Sequence, residues 1–179
     1  MRLKRQKFLI TFIGPIGSGK THVALRLAKS FKSAHIRTDD IRVRLGKEDK
    51  PFTRAPLMAN QLLRHALAAG KSVIADFDAV RPERRQSLKN LAKRFGARFI
   101  LIKIVTPEKL LLARLKKKRY ITSELFRDAR HAIQVYFIRK KFHERLRRRN
   151  KNLRPNFVIN NARPLAPQIK KVVKNLKGL

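Results

Sequence analysis

The octapeptide GPIGSGKT, Gly14 to Thr21, places three glycines ahead of a lysine and a hydroxyl, between the apolar run FLITFI and the helical-period segment HVALRLAKSFK. Gly14, Gly19, Lys20 and Thr21 satisfy G-x-x-x-x-G-K-[ST], the pattern of a phosphate-binding loop, and a strand before it with a helix after it is the context that pattern requires. Successive backbone N–H groups must converge on phosphate oxygens, which needs glycine where a Cβ would block close approach or where φ must be positive. Gly14, Pro15, Ile16, Gly17, Ser18, Gly19, Lys20 and Thr21 are therefore expected to hold nucleotide phosphates. The helix beginning near Gly19 adds its N-terminal dipole, Lys20 reaches the β and γ phosphates, and Thr21 offers a hydroxyl to Mg²⁺.

A second constellation, RTDDIR, runs from Arg37 to Arg42 just past the second expected strand. Ligands of open α/β sheets sit at the carboxyl ends of parallel strands. A carboxylate there, Asp39 foremost, can take the proton of an attacking hydroxyl, and Arg42 can hold an anionic group beside it. Asp40 is expected on the same acceptor side. Asp39 or Asp40 could equally cap a helix. Asp76 closes the third apolar run, SVIAD, where a carboxylate holds Mg²⁺ directly or through water; Asp78 is the less favoured occupant of that role. The cationic stretch LARLKKKRYITSE, residues 112–124, supplies Arg114, Lys118 and Arg119 as candidates to neutralise a transferring phosphoryl group. A charge run by itself is usually only a solvated face.

The elements that must position these groups alternate. Strands are expected at 8–13, 34–37, 72–76, 98–105 and 157–160, and helices at about 19–31, 54–69, 82–95, 107–118, 123–148 and 164–176. That alternation is the signature of βαβ units on a parallel sheet. Pro82 fits a first helical turn, Gly96 a C-terminal stop, and Thr106 an N-cap before Pro107. The basic run RLRRRNKNLR, 145–154, reads as the end of the longest helix and a linker to the last strand.

The chain has 179 residues, the length of one ordinary domain, and a single domain over 1–179 is expected, with a basic lid at about 112–124. Lys and Arg number 46 against 11 Asp and Glu, a net charge of +35. Such a surface attracts polyanions, and nucleic acid is the expected partner, although solvation alone is the blander account. The absence of cysteine excludes disulfides and thiolate metal sites. The basic, then apolar, N-terminus imitates a signal peptide, but its apolar run is too short to span a membrane and leads into the glycine loop. No membrane partner and a cytoplasmic protein are expected.

In order and spacing, GPIGSGKT, RTDDIR, DFDAVRPERRQSLKNLAKRFGARF and LLARLKKKR resemble the kinase domain of phage-type polynucleotide 5′-hydroxyl kinases and related small P-loop kinases, over roughly residues 8 to 140. The resemblance implies a three-layer α/β P-loop NTPase fold with a five-stranded parallel sheet in the order 2-3-1-4-5. It implies ATP and Mg²⁺ as ligands, Asp39 as general base, Arg42 as a contact to a substrate phosphate, and Asp76 as the Mg²⁺-side carboxylate. The lid arginine falls on Lys118 or Arg119. The stretch from Asp76 to PERR is longer than that family's spacing, and the resemblance is to the kinase half of that family alone. The favoured expectation is transfer of the γ-phosphoryl of ATP to the 5′-hydroxyl of RNA or DNA. A kinase for a small molecule or a protein, and a nucleic-acid-binding ATPase or switch, are the alternatives.

Overall fold

A computed structural model of the chain describes residues 6–120, 125–149 and 153–178. Five strands, β1 (Lys7–Ile13), β2 (Ala34–Arg37), β3 (Val73–Asp78), β4 (Ala97–Val105) and β5 (Phe157–Asn160), form one sheet. All pairings are parallel and the order is β2-β3-β1-β4-β5, as the resemblance implied.

Side chains alternate between the faces of each strand. Phe8, Ile10 and Phe12 of β1, with Ile100, Ile102 and Ile104 of β4, pack on α1 (Lys20–Phe31) and α7 (Leu165–Lys177) through Val23, Leu27, Ile169 and Val172. Leu9 and Ile13 face the other way. With Val73, Ala75 and Leu101 they meet α2 (Thr38–Lys47), α3 (Ala55–Ala68) and α4 (Pro82–Arg94) through Leu45, Leu63 and Leu88. This is the three-layer solution for strands buried on both faces. Trimming one such leucine to alanine costs about 2–5 kcal/mol.

A third, smaller cluster joins α5 (Glu108–Lys117) to α6 (Ala129–Arg149) through Leu111, Leu115, Ala132 and Tyr136, with Ile16 of the glycine loop packed against it. The helix pair is thereby tied to the loop rather than to the main core.

The structure departs from the sequence reading at three places. Residues 38–47, outside the expected helices apart from the possible cap at Asp39 or Asp40, form α2, whose buried stripe is only Thr38, Ile41 and Leu45. Neither Asp39 nor Asp40 caps it: both lie in its first turn, where their charge complements the helix dipole. Thr106 does not cap α5, whose N-cap is Pro107 with no side-chain bond; the Thr106 hydroxyl instead donates to the Ser18 carbonyl at 3.0 Å. Helix α6 begins at Ala129 among the described residues, and 121–124, the expected start of that helix and end of the lid, lie outside them. Pro82 does open α4, and Gly96, with φ of +63°, stands just past its end.

Candidate functional site

The carboxyl ends of all five strands open on one edge of the sheet, and the glycine loop joins β1 to α1 there. The Ser18 amide donates to the Pro15 carbonyl at 3.2 Å, turning the loop. Gly19 is the N-cap of α1 with φ of +89°, and a Cβ added there would collide with the Asn161 side-chain amide. At Gly14 an added Cβ would fall 2.8 Å from Ser18 Oγ. The bareness of the loop thus follows from a left-handed backbone at 19 and close approach at 14. At Gly17, with φ of +77°, an added Cβ would fall 3.1 Å from the Leu115 side chain of α5.

The loop is braced from behind. Asn161, just past β5 and 8% exposed, donates from its side-chain amide to the Ser18 carbonyl at 2.6 Å, the same oxygen that Thr106 holds. Arg114 Nη2 donates to the Asn161 carbonyl at 3.0 Å. Arg114 therefore reaches the loop through Asn161. The Ser18 hydroxyl is buried without a partner among the described residues.

Lys20 folds its ammonium back onto the loop, donating to the Gly14 carbonyl at 2.6 Å and the Pro15 carbonyl at 2.9 Å. Burial lowers its pKa from the ordinary lysine value, while Asp78, then Asp76, and more weakly Asp39, act to raise it; Arg139 of α6 acts to lower it. The three carboxylates and two cations thus share one electrostatic site. Thr21, half-buried, lies in the first turn of α1.

The two β3 carboxylates diverge because the strand is irregular. Thr11 pairs with Ala75, but Phe12 pairs with Asp78, so Asp76 and Phe77 bulge out of the β1 register while Asp76 keeps its regular pairing with Arg37 of β2. The Asp76 side chain, 3% exposed, lies 3.2 Å from His35 Nε2 and 3.9 Å from Arg37 Nε. Asp78 instead pairs with His143 of α6 at 2.7 Å, and its other oxygen is buried without a partner among the described residues.

Arg37 links the remaining acids. It lies 2.9 Å from Asp40 and 4.0 Å from Asp39, besides its approach to Asp76. Asp39 Oδ1 accepts a hydrogen bond from Arg42 at 2.8 Å, and both side chains keep about a third of their surface in solvent. The arrangement offers an accessible carboxylate flanked by guanidinium groups, beside a bare phosphate cradle and an ammonium held on the loop carbonyls.

Of the residues singled out in the sequence, Gly14 to Thr21, Asp39, Asp40, Arg42 and Asp76 come together here. Of the basic segment, Arg114 approaches the loop from behind, through the Asn161 carbonyl. Lys118 ends α5 with its ammonium 5.2 Å from the centre of the Tyr120 ring, and Arg119 is exposed beyond that helix. Residues that sequence reasoning missed are Arg37, Asn161, Arg139 and His143. For Arg37 there was a signal, since it opens the quoted RTDDIR; the others depend on where β5 and α6 run.

Among the described residues no group of three His, Asp or Glu side chains is placed to hold a metal by itself. Magnesium would need phosphate oxygens together with a hydroxyl and one carboxylate, and the orphan oxygen of Asp78 and the glycine cradle fit that demand.

A sheet in this order with the glycine loop after its central strand is the P-loop kinase-like fold. The chain belongs to the AAA domain family, whose model matches residues 9–137. No curated protein matches it in sequence. Among solved structures it is similar to a gluconokinase from Sinorhizobium meliloti, at TM-score 0.61 and 18% identity, over 96% of this chain and 93% of that one. It is similar to a sugar kinase from Janibacter sp., at 0.60 and 15%, over 94% and 93%. An APS kinase from Mycobacterium tuberculosis, solved with AMPPNP and APS, aligns at 0.58 and 16%, over 96% and 98%. Among the described residues no helix is long and apolar enough to cross a membrane.

Proposed function

We propose that the protein is an ATP-dependent kinase that transfers the γ-phosphoryl group to a hydroxyl of a small molecule. The observation that carries this reading is the accessible Asp39 carboxylate, held by Arg42 at 2.8 Å and sharing one electrostatic site with Lys20. An ATPase or switch needs a positioned water, whereas a carboxylate open to a second substrate suits a base for its hydroxyl. The sugar and APS kinases of like fold favour a small acceptor over a polymer.

The roles divide as follows. Backbone N–H groups of the loop, with Thr21, bind the nucleotide. Lys20 leaves the Gly14 and Pro15 carbonyls and follows the γ-phosphoryl as its charge moves. Asp39 takes the acceptor proton, Arg42 and Arg37 orient the acceptor, and Asp40 holds Arg37 in place. Thr21 with Asp78, or with Asp76, would hold Mg²⁺, which when bound neutralises phosphate charge. Arg139 of α6 is the cation whose field reaches Lys20, and it joins Lys118 and Arg119 as a candidate to neutralise the equatorial oxygens. A basic lid over 112–124, in a single domain spanning 1–179, belongs to this proposal.

A second reading keeps the same chemistry with the 5′-hydroxyl of RNA or DNA as acceptor. The net charge of +35 and the Asp39–Arg42 pair within RTDDIR favour it. The test is transfer from γ-labelled ATP to a panel of sugars, nucleosides and 5′-hydroxyl oligonucleotides. Label on sugars or nucleosides supports the small-acceptor reading; label on oligonucleotides alone replaces it with the second.

A further inference from the structure

A groove of about 1090 Å³ lies between α4 and the outer side of β4, closed at its far wall by the end of α6 and the approach to β5. Lys89 and Lys93 project from α4, one helical turn or about 6 Å apart along its axis. Arg148 and Arg154 stand on the opposite wall, and all four of these cations are exposed. Among the described residues no acidic side chain lines the groove. Its floor carries Phe99, a half-buried ring on β4.

The groove has no part in the phosphate site. It runs from Pro82, just past the carboxyl end of β3, down to Ala97, the first residue of β4 at the other edge, and none of Gly14 to Thr21, Asp39, Arg42 or Asp76 lines it. Besides Arg85, whose guanidinium is turned onto the Ala79 and Val80 carbonyls, these four exposed like charges repel one another across the groove, and among the described lining residues no carboxylate offsets them. Opposed rows of cations above an aromatic floor are what a single-stranded polyanion with stackable bases requires: lysine and arginine track the phosphates and the ring takes a base.

We infer that the α4–β4 groove binds single-stranded nucleic acid, through Lys89, Lys93, Arg148 and Arg154 to the phosphates and Phe99 to a base. This surface stands whether or not the acceptor of the phosphoryl group is a small molecule. It gives the basic run at 145–154 a use apart from catalysis.

The test is fluorescence anisotropy of the full chain with a labelled oligouridylate and oligothymidylate of twelve residues, titrated at several potassium chloride concentrations. A double variant, Lys89→Gln with Lys93→Gln, is compared with a control on α7, Lys170→Gln with Lys174→Gln, which removes equal charge from exposed positions elsewhere. Glutamine keeps helix propensity at each site. The groove variant is expected to lose about tenfold or more in affinity, and its log–log salt slope to shrink by about 0.7 for each phosphate contact removed. The control is expected to keep the parent slope to within a fraction of one contact. A Phe99→Leu variant is expected to weaken oligonucleotide binding while leaving polyphosphate binding unchanged. Equal losses from the groove and α7 variants would overturn the assignment in favour of diffuse charge. Binding of polyphosphate or polyglutamate with the same affinity and the same sensitivity to Phe99→Leu would overturn it in favour of an acidic partner without bases. Preference between the two oligonucleotides assigns RNA or DNA as the source.

Discussion

Asn161 and Ser18, 143 positions apart, are joined by a side-chain amide donating to a backbone carbonyl at 2.6 Å, so the last strand of the sheet fixes the turn of the first loop. The same Asn161 amide occupies the space a Cβ at Gly19 would need. Loop conformation and strand end are therefore one unit. Asn161→Ala is expected to leave the Ser18 carbonyl held by Thr106 alone and to cost about 1–3 kcal/mol of stability. Thermal unfolding with and without ATP checks this: ATP affinity should fall along with the transition temperature. Gly19→Ala is expected to abolish ATP binding outright.

Lys20 carries a stability signature that precedes any turnover. Its folded pKa is lowered by burial, so the unfolded chain binds the proton more readily, and folding stability attributable to this residue rises with pH as the solution passes from the folded value up toward 10.5. Lys20→Met removes that contribution. The difference in transition temperature between parent and variant, measured without nucleotide, should therefore move in the parent's favour as pH is raised through that window. A difference that does not change with pH contradicts the buried ammonium.

Asp39→Asn is expected to lower transfer to a hydroxyl by about 10²–10⁴-fold with ATP affinity close to the parent's, since a base acts on the acceptor. Asp40→Asn, which only releases Arg37, should cost far less. Steady-state rates and nucleotide titration on both variants decide the order of the two carboxylates.

The bulge in β3 separates two candidates for the metal-side carboxylate. Asp78 has a free oxygen and the stronger effect on Lys20, whereas Asp76 is occupied by His35 and Arg37. Asp78→Asn is expected to raise the Mg²⁺ concentration needed for half-maximal turnover more than Asp76→Asn does. The reverse ranking returns the role to Asp76.

Helix α6 reaches the site through His143 and Arg139. Arg139→Gln is expected to reduce turnover by about 10²-fold, the scale of losing one charge-stabilising group, with little change in ATP affinity. Lys118→Gln and Arg119→Gln, measured beside it, show whether the end of α5 contributes.

What could be read from the chain without its structure was whatever local pattern carries. The strand–glycine–helix punctuation around Gly14 to Thr21 is local, and so are the apolar runs of β1 and β4. Helix α2 escaped because its buried stripe holds only two apolar residues, Ile41 and Leu45, with Thr38, and begins inside a motif that already had a chemical reading. Thr106 was misplaced because a hydroxyl before Pro107 fits a cap equally well; its actual partner, Ser18, is 88 positions away. The divergence of Asp76 and Asp78 rests on a register slip against β1 that no pattern of residue types encodes. The cations were found by count but not by place: the segment at 114–119 stands partly behind the loop, while Arg139 and His143 depend on the path of α6.

In the proposed reaction a hydroxyl, rather than water, receives the phosphoryl group. Its most direct test follows γ-labelled ATP in the presence and absence of the acceptor panel, for the parent chain and for Asp39→Asn. Label on an acceptor is expected with the parent, none with Asp39→Asn, and equal ATP binding by both. Label released only as inorganic phosphate, at a rate indifferent to every acceptor and unaffected by Asp39→Asn, would contradict it.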